Sequence, residues 1–139
     1  MNYYNEIKEN LINNEVIKKV KDYSKNRNEL NTYYEVGKLL IEAQGGEDRA
    51  KYGDELIKDF SKRLINEVEK KYNERTLRRM RQFYVVFNNE IWSTMSTKLT
   101  WSHYVELLPL KDVKEINYYI NITEEYNLGV RELREKIKN

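Results

Sequence analysis

The sequence predicts an all-α fold, a bundle of about six or seven helices. Three observations carry that reading. Proline occurs once, at Pro109, and glycine five times, so helix breakers are scarce. Between those breakers the apolar residues recur at spacings of three and four, the helical period. The length, 139 residues, is that of about one domain and is enough to bury a core without staples.

The elements follow in order. Ile7, Leu11, Ile17 and Val20 mark a first helix, with Tyr3, Tyr4 and Tyr23 near its ends. NRNELN, residues 26–31, reads as a connection or a soft start to the next helix. Tyr33, Val36, Leu40 and Ala43 mark a second helix that stops at Gly45-Gly46. The loop GGEDRAKYG is expected to reach Gly53, with Asp54 capping a third helix along Ile57, Phe60, Leu64 and Val68. Asn73 caps a fourth helix. Taking 100° per residue, Leu77, Met80, Phe83, Tyr84 and Phe87 fall within about 120° of arc. The segment WSTMSTKL, residues 92–99, is a Ser/Thr-rich joint with Trp92 as its anchor. SHYVELL then forms a short helix ended by Pro109, Asp112 caps another with Val113, Ile116 and Ile120 inward, NLG breaks it, and VRELREKIK is the last. Three short helices on tight turns are the pattern of a helix-turn-helix. The expected organisation is a single domain: a long-helix part over 1–91, the joint over 92–99 and a helix-turn-helix-like part over 100–139. Leu64, Val68, Leu77, Met80, Tyr84, Leu107, Leu108 and Ile120 are expected in one core.

Composition removes several chemistries. There is no cysteine, so neither disulfides nor thiolate metal sites are available, and a single histidine excludes a His-rich metal site. Apolar runs are far too short to span a membrane, and the start, MNYYNEIKEN, lacks the apolar stretch of a signal peptide. A cytoplasmic protein without membrane attachment is expected. His103 is the one candidate general base. Its neighbour Ser102 points about 100° away on a helix, and no nucleophile elbow surrounds it. A structural histidine bonded to backbone near a helix start is the expectation. Glu69-Lys70-Lys71 matches an E-x-K nuclease pattern in letters, yet sits on an expected helix without the partner aspartate. Gly45-Gly46 opens no phosphate-binding loop. No catalytic residue, metal or cofactor is predicted.

Charge is more informative. Charged residues make up 35% of the chain and the net charge is only +2. Residues 58–99, however, hold ten basic and five acidic side chains. The centre of that field is ERTLRRMRQFY, residues 74–84. On the helical wheel its aromatics turn inward. Arg75, Arg78, Arg79 and Gln82 fall on the opposite side, with Arg81 at the border. Glu74 is placed to pair with Arg78 four residues on. Arginine suits planar, bidentate contact with phosphates or guanine edges. The expected nucleic-acid contacts are therefore Arg75, Arg78, Arg79, Arg81 and Gln82, widened by Lys62 and Lys71. A protein contact and a plain salt-bridged surface are the rival readings. Were the arginines buried, acids such as Asp54, Glu55 or Glu67 would be their partners.

The pieces YYEVGKLLIEAQ, YGDELIKDFSKRL, RTLRRMRQFY, LTWSHYVELLPLKDVKEINYYI and VRELREKIK occur in that order. Together they resemble the N-terminal domain of YhcG-type proteins of bacteria and mobile elements, from about Tyr33 to Lys138. In that family a nuclease domain of the PDDEXK type follows. The resemblance implies a helical module that serves DNA processing or defence and is not itself the catalyst. The chain ends at Asn139, where the nuclease domain would begin, and Gly129 stands where the family usually has serine. The segment from LTWSHY to VREL is also faintly similar to the helix-turn-helix region of ParB-type partition proteins. The resulting expectation is a non-catalytic DNA-binding or targeting module whose partner is duplex DNA. The alternative is a protein-interaction module that dimerises, docks a PDDEXK nuclease or modulates a host defence complex.

Overall fold

The computed structural model describes residues 1–18, 25–88, 98–110 and 112–139. Among them are seven α-helices and no strand: α1 (Tyr3–Lys18), α2 (Lys25–Gln44), α3 (Ala50–Glu67), α4 (Glu74–Phe87), α5 (Trp101–Leu107), α6 (Val113–Tyr126) and α7 (Val130–Lys138). The all-α reading holds. Val20, Tyr23 and Trp92 lie outside the described residues, as does most of the 92–99 joint. The chain divides into two units, Met1–Val85 and Val86–Asn139. Of the residues expected in one core, Leu64, Leu77 and Met80 are buried in the first unit, and Leu107, Leu108 and Ile120 in the second. Val68 and Tyr84 are only half-buried.

In the first unit, the buried residues are those that the helical period selects. Ile7 and Leu11 of α1, Val36 and Leu40 of α2, Ile57 and Leu64 of α3, and Leu77, Met80 and Phe83 of α4 all have almost no solvent contact. Helix α2 begins at Lys25 and takes in the whole of residues 26–31, because Leu30 is buried and shares the face of Tyr33. The polar letters of NRNELN are thus the outer side of a helix, and Asn28 there donates to Asn14 Oδ1 of α1 at 3.1 Å. At its other end α2 closes as expected. Gly45 and Gly46 take φ of 91° and 119°, and the Gly46 N–H reaches back to the Ile41 carbonyl at 3.0 Å.

Helix α3 also starts early. Its first residue is Ala50, after a 3-10 turn over Glu47–Arg49, and Gly53 lies inside the helix. Asp54 is therefore not a cap. A glycine there spends helix propensity for space: a Cβ would collide with Gln44 Oε1 and stand 2.6 Å from Arg81 Nη1. Gly37 in α2 has the same role, since a Cβ would collide with the Met80 carbonyl oxygen and stand 2.8 Å from Tyr84 Cβ. These two glycines set how closely α4 approaches α2 and α3. Tyr34 then packs edge-on against Phe83 at 6.3 Å between centroids.

Two polar knots hold α1. Glu15 receives the Tyr72 hydroxyl at 2.5 Å and the Lys71 ammonium at 2.6 Å, while Lys18 meets Glu29 at 2.5 Å. Burial alone would raise the Glu15 carboxyl, but the Lys71 and Tyr72 hydrogen bonds outweigh it and hold it below the ordinary value. At the other end of α1, Tyr4 donates to Glu67 and its ring lies 3.6 Å beneath the Arg63 guanidinium. Burial, then the Glu67 bond, pushes the Tyr4 hydroxyl up to about 12, and the same bond lowers Glu67.

The second unit is built from turns. Asp112 caps α6 by accepting from the Lys114 N–H at 3.0 Å, as predicted. Asn127 takes the left-handed conformation at φ 52° and ends it. Glu132 accepts from the Gly129 N–H at 3.1 Å and so starts α7. Ile116, Ile120 and Leu133 are buried, and Phe87 meets Tyr104 edge-on at 5.4 Å. Val113, expected inward, is exposed because it stands in the first turn, beside its capping aspartate.

Two outcomes test this packing. Leu77→Ala should cost about 2–5 kcal/mol in denaturant unfolding. Gly37→Ala, which adds a single methyl, should cost about 1–3 kcal/mol through the strain of separating α2 from α4. The lowered carboxyls of Glu15 and Glu67 fix a pH dependence. Their stabilisation is present above the unfolded value of 4.5 and is lost as pH falls through the lower folded values. The melting temperature should therefore drop below that pH, and Glu15→Gln should flatten the drop.

Candidate nucleic-acid interface

Asn73 starts α4 by accepting from the Thr76 N–H at 3.0 Å, and Glu74 places an acid in its first turn. The helix is strongly two-sided. Leu77, Met80, Phe83 and Phe87 are buried, while Arg75 and Arg78 are exposed and Arg79 and Gln82 are half-exposed. The helical wheel drawn from the sequence is thus reproduced.

The structure separates the four arginines into three kinds. Arg81 is an internal clamp, with only 15% of its side chain exposed. Its guanidinium donates to Asp54 Oδ1 at 2.8 Å, to Gln44 Oε1 at 3.0 Å and to the Ala50 carbonyl at 3.4 Å. It ties α4 to the end of α2 and the start of α3. Arg78 is intermediate: it stands 3.6 Å from Asp54 and 3.5 Å from Glu74, on side chains that are all nearly half exposed. The expected Glu74–Arg78 pair is present, and it is loose. Arg75 and Arg79 have no ion-pair partner among the described residues. They stand four positions apart, one helical turn, with both charges available outward.

The flanking cations divide likewise. Lys62 is exposed on α3. Lys71 is held against Glu15 at 2.6 Å and serves the α1 knot. Gln82 lines an open pocket with Ile41, Gln44, Glu47, Arg78 and Arg81. Asp54 is the residue whose role the sequence obscured. It reads as a cap, and in the structure it is the shared anion that orders two arginines. Its appearance among the acids available to a buried arginine was the one signal. Gln44 gave none.

The catalytic candidates are also placed. His103 is buried at the start of α5, where its Nδ1 accepts the Thr100 N–H at 3.0 Å. Its Nε2 lies 2.9 Å from the Leu128 carbonyl. With Nδ1 accepting, the proton sits on Nε2 and is donated to that carbonyl. Both ring nitrogens are thereby used in capping α5 and fixing the α6–α7 turn. Glu69-Lys70-Lys71 lies in the connection between α3 and α4, not on the helix expected for it. No group of three or more acidic or histidine side chains among the described residues could hold a metal. No helix among them is long and apolar enough to cross a membrane.

A family model described as "DUF1016 N-terminal domain" matches residues 6–139. Among curated proteins, the chain is similar to "Putative nuclease YhcG" of Escherichia coli (strain K12), with 32% identity over 137 residues. The match covers 76% of this chain and 36% of that protein, so the chain spans about a third of the relative's length. No solved structure gives a significant match.

The clamp makes a measurable distinction. Asp54→Ala leaves Arg81 without its anion and should cost about 1–3 kcal/mol in unfolding experiments. Glu74→Ala, which removes a loose exposed pair and the acid of the first turn, should cost less, no more than about 1 kcal/mol.

Proposed function

The chain belongs to the DUF1016 N-terminal domain family, and from that premise we propose that it is a non-catalytic DNA-binding or targeting module of a nuclease-associated protein. The observation that carries the proposal is the outward pair Arg75 and Arg79. Two arginines one turn apart, on a helix pinned by Arg81 from behind, present rigidly placed charge to a polyanion. Arg78 joins them when a phosphate outcompetes Asp54 and Glu74. Contact through a helix face without deep side-chain insertion favours the phosphate backbone over base edges. Lys62 and Gln82 extend the surface, Arg81 supports it from behind, and Lys71 is exposed but held by Glu15.

The printed name of the Escherichia coli relative assigns that protein a nuclease activity, and the matched stretch is 36% of its length. In this reading the cutting chemistry, of the PDDEXK type that the YhcG resemblance implies, belongs to another part of such proteins. The helical module brings it to duplex DNA in the cytoplasm, in DNA processing or in defence of cells and mobile elements. The three short helices α5–α7 provide a helix-turn-helix-like second surface. A second reading, a module that docks a nuclease or modulates a host defence complex, draws on the exposed tyrosines of α6.

Binding to a short DNA duplex, measured by fluorescence anisotropy over a range of salt, tests the first reading. Changing Arg75 and Arg79 together to glutamine should weaken binding to all sequences alike. The slope of log affinity against log salt should shrink by about one per lost contact. The fold should persist, since exposed substitutions usually stay within about 0.5 kcal/mol each. Equal binding by the variant and the parent would return this face to plain surface.

A further inference from the structure

Arg75, Arg78 and Arg81 recur at three-residue intervals, so each is turned about 60° from the next around α4. Arg78 therefore stands between the inner clamp and the outward pair. Its Nε lies 3.6 Å from Asp54 Oδ1, and its Nη2 lies 3.5 Å from Glu74 Oε2. Both separations exceed the roughly 2.7–2.9 Å of a charge-assisted hydrogen bond. For Asp54 the cause is competition, since the same Oδ1 accepts from Arg81 Nη2 at 2.8 Å. Arg78 is thus attracted by two carboxylates and held closely by neither. The three side chains are 40% to 48% exposed, so water and salt reach the contact.

We propose that Asp54 and Glu74 form an autoinhibitory contact, which withholds Arg78 from anions until a polyanion has engaged Arg75 and Arg79. The inference rests on the reading of this face as a DNA contact and adds its regulation. An isolated anion meets Arg78 in competition with two carboxylates that are tethered beside it and do not diffuse away. A duplex held by Arg75 and Arg79 is tethered too, and brings a further phosphate to Arg78 at a comparable effective concentration. That phosphate can make the short, bidentate bonds that the carboxylates leave unmade.

The two acids have different parts in this. When Arg78 turns to the phosphate, Asp54 keeps Arg81, so the clamp that places α4 survives the exchange. Glu74 keeps no other ion-pair partner among the described residues. Its charge is then uncompensated beside the phosphate and opposes the exchange, so Glu74 sets the threshold for recruiting Arg78. Exposed pairs are individually weak. The contact therefore tunes affinity and favours closely spaced phosphates over single anions, without locking the face.

Binding of the full chain to a short DNA duplex, followed by fluorescence anisotropy, tests the proposal with E74Q, R78Q and the double variant. E74Q should tighten binding about two- to fivefold, the factor that corresponds to one exposed ion pair. It should also steepen the salt slope by up to about one, as Arg78 is recruited more fully. A gain due only to a lost negative charge would survive the removal of Arg78, whereas a gain due to a released arginine would not. The effect of E74Q should therefore be lost in the R78Q background. Glu74 stands in the first turn of α4, so circular dichroism checks that the helix persists. A second measurement uses the parent chain and needs no variant. The Arg78 Nε–H resonance should move when duplex is added and stay in place in inorganic phosphate at the same phosphate concentration. No gain from E74Q, an equal gain with and without Arg78, or a resonance that moves in inorganic phosphate alone would each overturn the proposal. If those results come while the joint change of Arg75 and Arg79 still weakens binding, the DNA-binding reading stands and only this contact falls. Binding indifferent to Arg75 and Arg79 strikes that reading instead.

Discussion

The pairing of Arg81 with Asp54 and Gln44 is the constraint on which the arrangement of the first unit depends. A guanidinium that is only 15% exposed must find partners, because a charge taken from water unpaired is strongly destabilising. Here the partners come from two other helices, Asp54 and the Ala50 carbonyl from α3 and Gln44 from the last turn of α2. Satisfying one side chain therefore ties the end of α2 and the start of α3 to the middle of α4. The remaining features follow as accommodations. Gly53 gives up a side chain so that Gln44 and Arg81 can meet, and Gly37 gives up one so that α2 can lie against the Met80 backbone. Gly45 and Gly46 turn the chain sharply enough to bring α3 back to the same place.

That constraint also divides the arginines of α4. One arginine is consumed as structure, one is loosely balanced by acids, and two are left outward. A row of four arginines is thus not four equivalent contacts. Their roles differ because Asp54 lies nearest Arg81, within range of Arg78, and pairs with neither of the other two. A single carboxylate sorts the cluster. The surface offered to a polyanion is smaller than the letters suggest, and it is more rigid, because the helix that bears it is anchored from behind.

The second unit depends on capping more than on charge. Of its three helices, α5 and α7 are short, at seven and nine residues, and short helices gain little from their own hydrogen bonds. Each is started by a specific acceptor: His103 for α5, Asp112 for α6, Glu132 for α7. His103 has two jobs, since its second nitrogen holds the Leu128 carbonyl in the turn between α6 and α7. This accounts for the burial of the lone imidazole, since both ring nitrogens are engaged by backbone groups.

Much of this was determined by the sequence alone. Helical periodicity set the type of every element and the inner and outer faces of α4, because burial of Leu77, Met80, Phe83 and Phe87 is a local consequence of 3.6 residues per turn. Asn73, Asp112 and the Gly45-Gly46 stop were legible for the same reason, since a cap is satisfied within a few residues. The quoted motifs were enough to place the family. What only the tertiary structure decided are the features that depend on residues distant in sequence. The early starts of α2 and α3 depend on Leu30 reaching a core and on Gly53 facing Gln44, and no local signal distinguishes a glycine kept for space from one kept for a turn. The conversion of Asp54 from cap to counter-ion, the loss of Arg81 from the outward surface, and the pairing of Lys71 with Glu15 have the same origin. Charge can be counted along a chain, but the partner that neutralises it is chosen by the fold, because Coulomb attraction depends on distance in space.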